Sequence, residues 1–401
     1  MTARARDEHP EAAPTRRASD ANESVRVLKP RRAAPADAVR PTRAEVNLAA
    51  LRHNLRVVAK HAGAARVWPV LKADAYGHGA PAVARTLERA GAQGFCVALL
   101  EEAAELRDAG IRAPILVMGG YHGAYDEVAH RDVVPVVYDE GQVEALARAA
   151  RSAGEPISVH VKIDTGMSRL GVRMEDLERF ASRLAGAPEV RVAGLMTHLA
   201  CADAPDPSFT NDQVTRFDEA TQRLARAGIT APIRHAANSA AVLRGHAVYD
   251  LVRPGIAIFG VSPFARDLKP VMRVRSEIVD LRTIQPGETA GYGALFRAAR
   301  LTRIATLPIG YADGLSRYLS NKGHVLVRGV RSPIVGAISM DMCMIDVTDV
   351  PGAELRDEVV VLGAQGKDAI GAEEIASHGA TIAWEVLTSI SRRVPRFYRE
   401  P

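Results

Sequence analysis

Cysteine is scarce: Cys96, Cys201 and Cys343 are the only three in the chain. They lie far apart and have no metal-ligand spacing. That argues against a disulfide framework, predicts no metal site and fits a reducing compartment. Aromatic residues make up 5% of the sequence. No apolar run approaches the roughly 18 residues of a membrane span, so no membrane partner is expected. A strong excess of one charge is missing too: residues 1–42 carry a net +3 and the remainder a net +2. Nothing there calls for a nucleic-acid partner. With no continuous apolar signal stretch either, a cytoplasmic location is expected.

What is present is ordinary for a globular protein, with 47% apolar and 25% charged residues. A length of 401 residues allows one large barrel plus a smaller domain. Residues 1–42 are rich in Ala, Arg and Pro and contain no aromatic residue. They read as a disordered basic extension, and their acidic residues count against a targeting arm. Residues 44–62 have helical spacing, with Val46, Leu48, Leu51, Leu55 and Val58 on one face. Eight short apolar runs follow, at 67–71, 94–98, 115–118, 133–137, 157–163, 190–196, 232–235 and 251–253. Amphipathic stretches such as 101–109, 141–153 and 213–227 lie between them. The alternation predicts an α/β fold, a (β/α)₈ barrel over residues 43–272. From 273 to 401 short alternating runs with Gly and Pro turns, at 271–281, 302–309, 324–330 and 358–362, predict a mostly β domain. Helical spacing returns only at 373–377 and 384–391.

Barrel active sites lie at the C-terminal ends of the strands, so polar residues there carry the argument. Lys72 ends an apolar strand and is followed by a Tyr and two Gly. A lysine there is partly desolvated, which lowers its pKa and suits it to covalent carbonyl chemistry. A surface lysine capping a strand would look the same by position alone. The full segment Leu71-Lys-Ala-Asp-Ala-Tyr-Gly-His-Gly79 resembles the pyridoxal-phosphate (PLP) lysine signature of bacterial alanine racemases. The resemblance continues in the family's order through 161–171, 194–198, 235–239, 252–257, 291–294, 308–314 and 339–345. It implies a PLP-binding barrel followed by a β domain, in agreement with the pattern read above.

The resemblance also implies roles. Racemisation removes an α-proton and returns one to the opposite face, so two acid/base groups must flank a planar centre. Lys72 would hold PLP covalently and serve one face, and Tyr292 the other. A tyrosine's usual pKa near 10 is too high for a base at neutral pH, so cations must lower it, with His198 and Arg169 as candidates. Tyr76, Asn238, Ser239, Gly255 and Ile256 would bind the phosphate; Asn238 and Ser239 also read as a plain helix N-cap. Arg253 would face the pyridine nitrogen, where arginine can only donate and so keeps that nitrogen unprotonated. That disfavours a barrel decarboxylase, which uses a carboxylate there. Arg169 would meet the phenolic oxygen and the substrate carboxylate, helped by the Met340 backbone and the neighbouring Asp341. Lys162 matches a position often found as a carbamate, and Tyr311 a tyrosine on the substrate's access path.

The implied reaction is interconversion of L- and D-alanine, a small-molecule substrate, supplying D-alanine for peptidoglycan. The implied assembly is a head-to-tail homodimer in which Tyr292, Tyr311 and Met340 reach the other subunit's barrel. Two positions depart from the family pattern. Trp384 stands where a tyrosine is common, which keeps open a broader or serine-preferring racemase. Ser339 stands where a cysteine is common, with a small expected effect. A non-catalytic PLP-binding protein shares the barrel and the lysine, but it lacks the β domain.

Overall fold

The computed structural model describes residues 39–400, so the reading of residues 1–38 as disordered falls outside the described residues. The first described segment is docked on the β domain. Arg40 forks onto Asp313 at 2.9 and 2.7 Å and donates to the carbonyls of Pro308 and Arg393. Thr42 donates to Pro308 O and bonds Ser276. Residues 40–42, grouped with the extension by composition, are therefore held by specific polar contacts.

Eight parallel strands form the barrel wall: Arg66–Val67, Phe95–Leu99, Ile115–Gly120, Val134–Val137, Ile157–Lys162, Val190–Met196, Ile233–His235 and Leu251–Val252. Six of them pair in chain order, from Phe95–Leu99 to Ile233–His235. The ring closes where Arg66–Val67 pairs with Leu251–Val252 and Val70 bridges Cys96. Across the last gap Asp250 N donates to Arg234 O, and Arg253 N to Ala237 O. Pro69 cannot donate to a ladder, and the first strand is accordingly short. Helices such as Ala80–Arg89, Glu140–Ala153 and Ser208–Arg226 cover the outside, and Phe95, Leu116 and Phe217 are fully buried beneath them.

One expectation is overturned at the start of the barrel. Residues Arg43–Asn47 are a strand, and the helix runs only over Leu48–Ala62. Asn47 stops it from starting earlier, because its side chain accepts from Ala50 N as an N-cap. Ala44 and Val46 share one face of the strand, as alternate residues do. Between them Glu45 is 5% exposed and paired with Arg43, Arg273, Arg275 and Arg399.

This strand lies in the large sheet of the β domain. It pairs antiparallel with Met272–Glu277 and parallel with the C-terminal strand Arg396–Arg399. Beyond Met272–Glu277 the order runs through Glu358–Gln365, His324–Val327, Val330–Val335, Cys343–Asp346 and Thr302–Leu307 to Asp280–Ile284, all antiparallel. Two short helices, Ala372–His378 and Ala383–Ser389, match the late helical spacing. The second packs against the segment that follows Lys72.

Candidate active site

Lys72 stands at the mouth of the barrel, one residue after Leu71 N donates to Cys96 O. Burial, then the charge of Arg169, holds its amine below the usual lysine range, while Glu102 opposes the shift. Ala73, Asp74, Ala75 and Tyr76 follow with φ between 52° and 56°. Four consecutive L-residues in the left-handed region cost about 1–2 kcal/mol each, so the surroundings must impose the turn. Glu102 grips its start, accepting from Ala73 N at 2.6 Å and from Ala98 N and Leu99 N. Asp74 accepts from Ala80 N, and Arg396 of the C-terminal strand donates to Gly77 O. A Cβ on Gly77 would sit 2.4 Å from Leu387 O, and one on Gly79 1.8 Å from the Tyr398 hydroxyl. Only glycine lets the β domain press this close.

The floor of the site is a buried cation held by lone pairs. Arg253, 2% exposed, donates to His235 Nδ1 at 2.5 Å, to Thr197 O at 2.9 Å and to Ala236 O at 3.2 Å, with a longer contact to His198 Nδ1. None of these partners is a carboxylate. Arginine can only donate, so the His235 proton must sit on Nε2. There it donates to His160 Nδ1 at 2.7 Å, which fixes the His160 tautomer as well. Burial, then the charge of Arg253, pushes His160 down to about 3 and His235 well below its ordinary value. The His160 ring occupies space beside Gly194, where a Cβ would lie 2.7 Å from it.

Lys162 and Arg169 complete the cationic group. Lys162 is buried, and burial with the nearby charges of Arg169 and Arg253 lowers it to about 8. Arg169 is exposed at the mouth, in a loop shaped by Asp164, whose carboxylate accepts from the backbone N–H groups of Gly166, Met167 and Ser168. Loss of solvent around its ring, then the charges of Arg253, Arg169, Lys162 and Lys72, push His198 down to about 3. His198 is therefore neutral near pH 7 and cannot be the cation expected to activate Tyr292. Arg169 remains the candidate for that charge.

At the far end, Gly255 N and Ala257 N converge on Ser239 Oγ at 2.9 and 3.3 Å. The Tyr76 hydroxyl reaches the same place, 2.3 Å from where a Gly255 Cβ would be. Burial raises the Tyr76 phenol above its ordinary value, so it stays a donor. Ile256 opens the tight turn Ile256–Phe259 beside these groups. Asn238 behaves as the N-cap, its side chain accepting from Ala241 N at 3.1 Å. With both N–H groups donating to it, Ser239 Oγ has its own O–H left to give, and beside the Tyr76 O–H this suits a phosphate ester.

Tyr292, Tyr311, Ser339, Met340 and Asp341 line a cleft of about 1280 Å³ on the β domain, whose lining includes none of Lys72, Tyr76, Arg169, His198 and Arg253. Tyr311 N donates to Ser339 O and Ala312 N to Met340 O, tying two loops together. Asp341 is paired with Arg393 at 2.6 Å. Tyr292 is 73% exposed, Met340 51% and Tyr311 43%. Within one chain, the candidate residues thus form two groups.

The chain matches the family models for the alanine racemase N-terminal domain over residues 46–263 and the alanine racemase C-terminal domain over residues 271–398. It belongs to the alanine racemase family. The alanine racemase of Sorangium cellulosum is 62% identical over 379 residues, covering 90% of this chain and all of that one. Alanine racemase from Bacillus anthracis with bound L-Ala-P superposes with a TM-score of 0.85 at 34% identity, covering 90% of this chain and 96% of that one. The Bartonella henselae alanine racemase with covalently bound pyridoxal phosphate gives 0.81 at 32% identity, covering 90% and 99%.

Sequence reasoning missed His160 and Glu102. His160 and Lys162 are two apart in an apolar strand, so they share a face; two polar residues on one face of a barrel strand were the available signal. Glu102 was hidden because it acts on backbone N–H groups from within a helix. Its only trace was its place in the first turn of the expected helix after the second strand.

The buried histidines carry a pH prediction. His78 is pushed down to about 4 by burial, and His160 and His235 are also depressed. The unfolded chain binds these protons near pH 6.5, while the folded chain refuses them until much lower pH. Stability is therefore full above 6.5 and falls on acidification, each group adding a slope of about 1.4 kcal/mol per pH unit. Urea midpoints of the cofactor-free protein should drop between pH 7 and 5, and His160→Gln should flatten the drop by about one proton. A pH-independent midpoint over that range would reject this account.

Proposed function

We propose that this chain is a PLP-dependent racemase that interconverts L- and D-alanine in the cytoplasm and supplies D-alanine for peptidoglycan. The observation that carries the reading is Arg253, a buried guanidinium whose hydrogen-bond partners include no carboxylate. Facing a pyridine nitrogen, it can only donate, which favours brief acidification of the α-carbon over reactions needing a protonated ring. The donor cradle of Ser239, Gly255, Ile256 and Tyr76 fits the cofactor's phosphate, and Lys72 fits its aldehyde. PLP, when bound, supplies the electron sink that acidifies the substrate Cα–H bond.

The chain's own groups then handle binding and protons. Arg169 and the Met340 N–H hold the substrate carboxylate. The Lys72 amine, its pKa lowered, exchanges a proton with Cα on one face. The Tyr292 hydroxyl exchanges one on the other face. A neutral His198 that accepts from Arg253 on Nδ1 keeps its proton on Nε2, where it can donate to a phenolate. Lys162 lies among cations, so conversion to a carbamate would turn a repulsive neighbour of Arg169 into an anchor; uptake of labelled bicarbonate, lost in Lys162→Arg, tests this.

The exposed Tyr292, Tyr311, Tyr318 and Met340 support a homodimer in which a second copy covers this cleft and contributes Tyr292 to the barrel site. Trp384, 41% exposed on the helix that packs against the Lys72 segment, favours a second reading with wider substrate range. Chiral chromatography of L-alanine, L-serine and L-lysine after incubation with protein and PLP decides between them. D-alanine as the dominant product, absent with Lys72→Ala, is the expected result. Comparable D-serine or D-lysine would move the assignment to a broad racemase. No D-isomer from any of them would leave a PLP-binding protein.

A further inference from the structure

The left-handed turn after Lys72 has a latch on its inner side. His78 is fully buried, and its Nδ1 lies 3.0 Å from Ala75 O and 2.9 Å from Tyr76 O. Both partners are carbonyls, so the ring must carry its proton on Nδ1 and share it between them. The ring is stacked on Phe259, with centroids 4.4 Å apart, and Phe259 also packs against Tyr76 at 5.0 Å. Burial keeps the imidazole neutral near pH 7, so it has one proton to give. That proton goes wholly to the turn, since Nε2 has no hydrogen-bond partner among the described residues. A cheaper apolar residue could fill the same space. An unsatisfied buried nitrogen is tolerated where the other nitrogen is needed.

The two carbonyls belong to residues that no regular ladder holds. Glu102 fixes the N–H at the start of the turn and Arg396 the carbonyl of Gly77 at its end. Between these points Gly79 N donates to Asp74 O and the His78 backbone N–H to Ala75 O, and the His78 side chain adds a donor shared by the Ala75 and Tyr76 carbonyls. The turn in turn sets two functional atoms at once: Lys72 Nζ precedes it and the Tyr76 hydroxyl ends it.

We propose that His78 is a positioning residue that locks the left-handed turn through its Nδ1–H, and so fixes the spacing between the Lys72 amine and the Tyr76 phosphate donor. The proposal rests on the reading that Lys72 carries PLP. It makes a specific chemical demand: a donor at the Nδ1 position, not an imidazole as such. Asparagine places its amide N–H near Nδ1, whereas glutamine reaches toward Nε2.

Three variants test it: His78→Asn, His78→Gln and His78→Leu. Amide hydrogen exchange of residues 72–79 is read on the cofactor-free proteins. Covalent attachment of PLP to Lys72 is read by borohydride trapping, alongside KM and kcat. His78→Asn is expected to stay within about threefold of the parent in all of these. His78→Gln and His78→Leu are expected to exchange at least tenfold faster within 72–79 and to lose at least tenfold in rate of PLP attachment and in kcat, with KM changed less. If His78→Leu does not fold, the order of Asn over Gln still decides. Equal damage in Asn and Gln, or parental attachment in Leu, overturns the proposal. If the parent itself traps no PLP, the cofactor reading has failed, and the exchange order alone then judges the latch.

Discussion

Chains carrying Lys72→Ala and chains carrying Tyr292→Phe, each nearly inactive alone, are expected to recover about a quarter of parental racemisation when co-expressed. Tyr292 lies on a β-domain cleft whose lining includes no member of the barrel group, so a second copy is the natural source of the missing acid/base group. In random assembly half of the dimers are mixed, and one of the two sites in a mixed dimer pairs an intact Lys72 with an intact Tyr292. Each single variant should fall by about 10²–10⁴, the usual worth of a positioned acid or base. The Tyr292→Phe protein should also show a one-sided defect. One enantiomer of alanine should still exchange its α-hydrogen with solvent deuterium without inverting, because Lys72 continues to serve its face. Two affinity tags establish that mixed dimers form. Mixed dimers with no recovered activity would place both residues in the same subunit and remove the reason for a shared site.

Much of this was legible in the sequence because periodicity reports burial. The eight apolar runs fall on the eight barrel strands, and the switch to period two marks the sheet that follows. The strand at residues 44–47, where the spacing predicts helix, has a physical cause. Val46 and Leu48 fit a helical face and a strand equally well over so short a stretch, and the local signal that separates them is Asn47 as a cap. What makes the segment a strand is a pairing with Arg396–Arg399 at the other end of the chain, which no local pattern contains. The candidate site divides in the same way. Lys72, Arg253 and Ser239 announce themselves at strand ends. Glu102, His160 and Arg40 act on groups that only the fold brings to them, and His78 acts on carbonyls two and three residues before it that face it only in the left-handed turn. The neutral state of His198 was also out of reach, since it follows from burial and from four cations converging from three strand ends.

Arg253→Glu is expected to lower racemisation by at least about 10²–10³, the cost of losing one preorganised donor at the reacting system. It should also change what the protein makes. The parent guanidinium donates to His235 Nδ1, Thr197 O, Ala236 O and His198 Nδ1. An ionised carboxylate donates to none of them. To meet it, His235 must either move its proton to Nδ1, which breaks the relay to His160 Nδ1, or take a second one, which keeps the relay at the cost of a buried charge. His235, now beside an anion instead of a cation, should titrate closer to the ordinary histidine range, so the acid sensitivity of the fold should soften at this position. A carboxyl group facing the pyridine nitrogen can keep it protonated, which prolongs the negative charge at Cα and opens amino-group transfer as a side path. Pyruvate should therefore form from alanine in the variant and not in the parent, up to one equivalent per bound cofactor because the amino group stays on the cofactor, while Arg253→Lys, still a donor, should lose rate without gaining pyruvate. A glutamate variant that racemises at the parental rate with no pyruvate would mean that Arg253 does not face the ring nitrogen. The chain's preference for racemisation would then have to come from the way Lys72 and Tyr292 bracket the α-carbon.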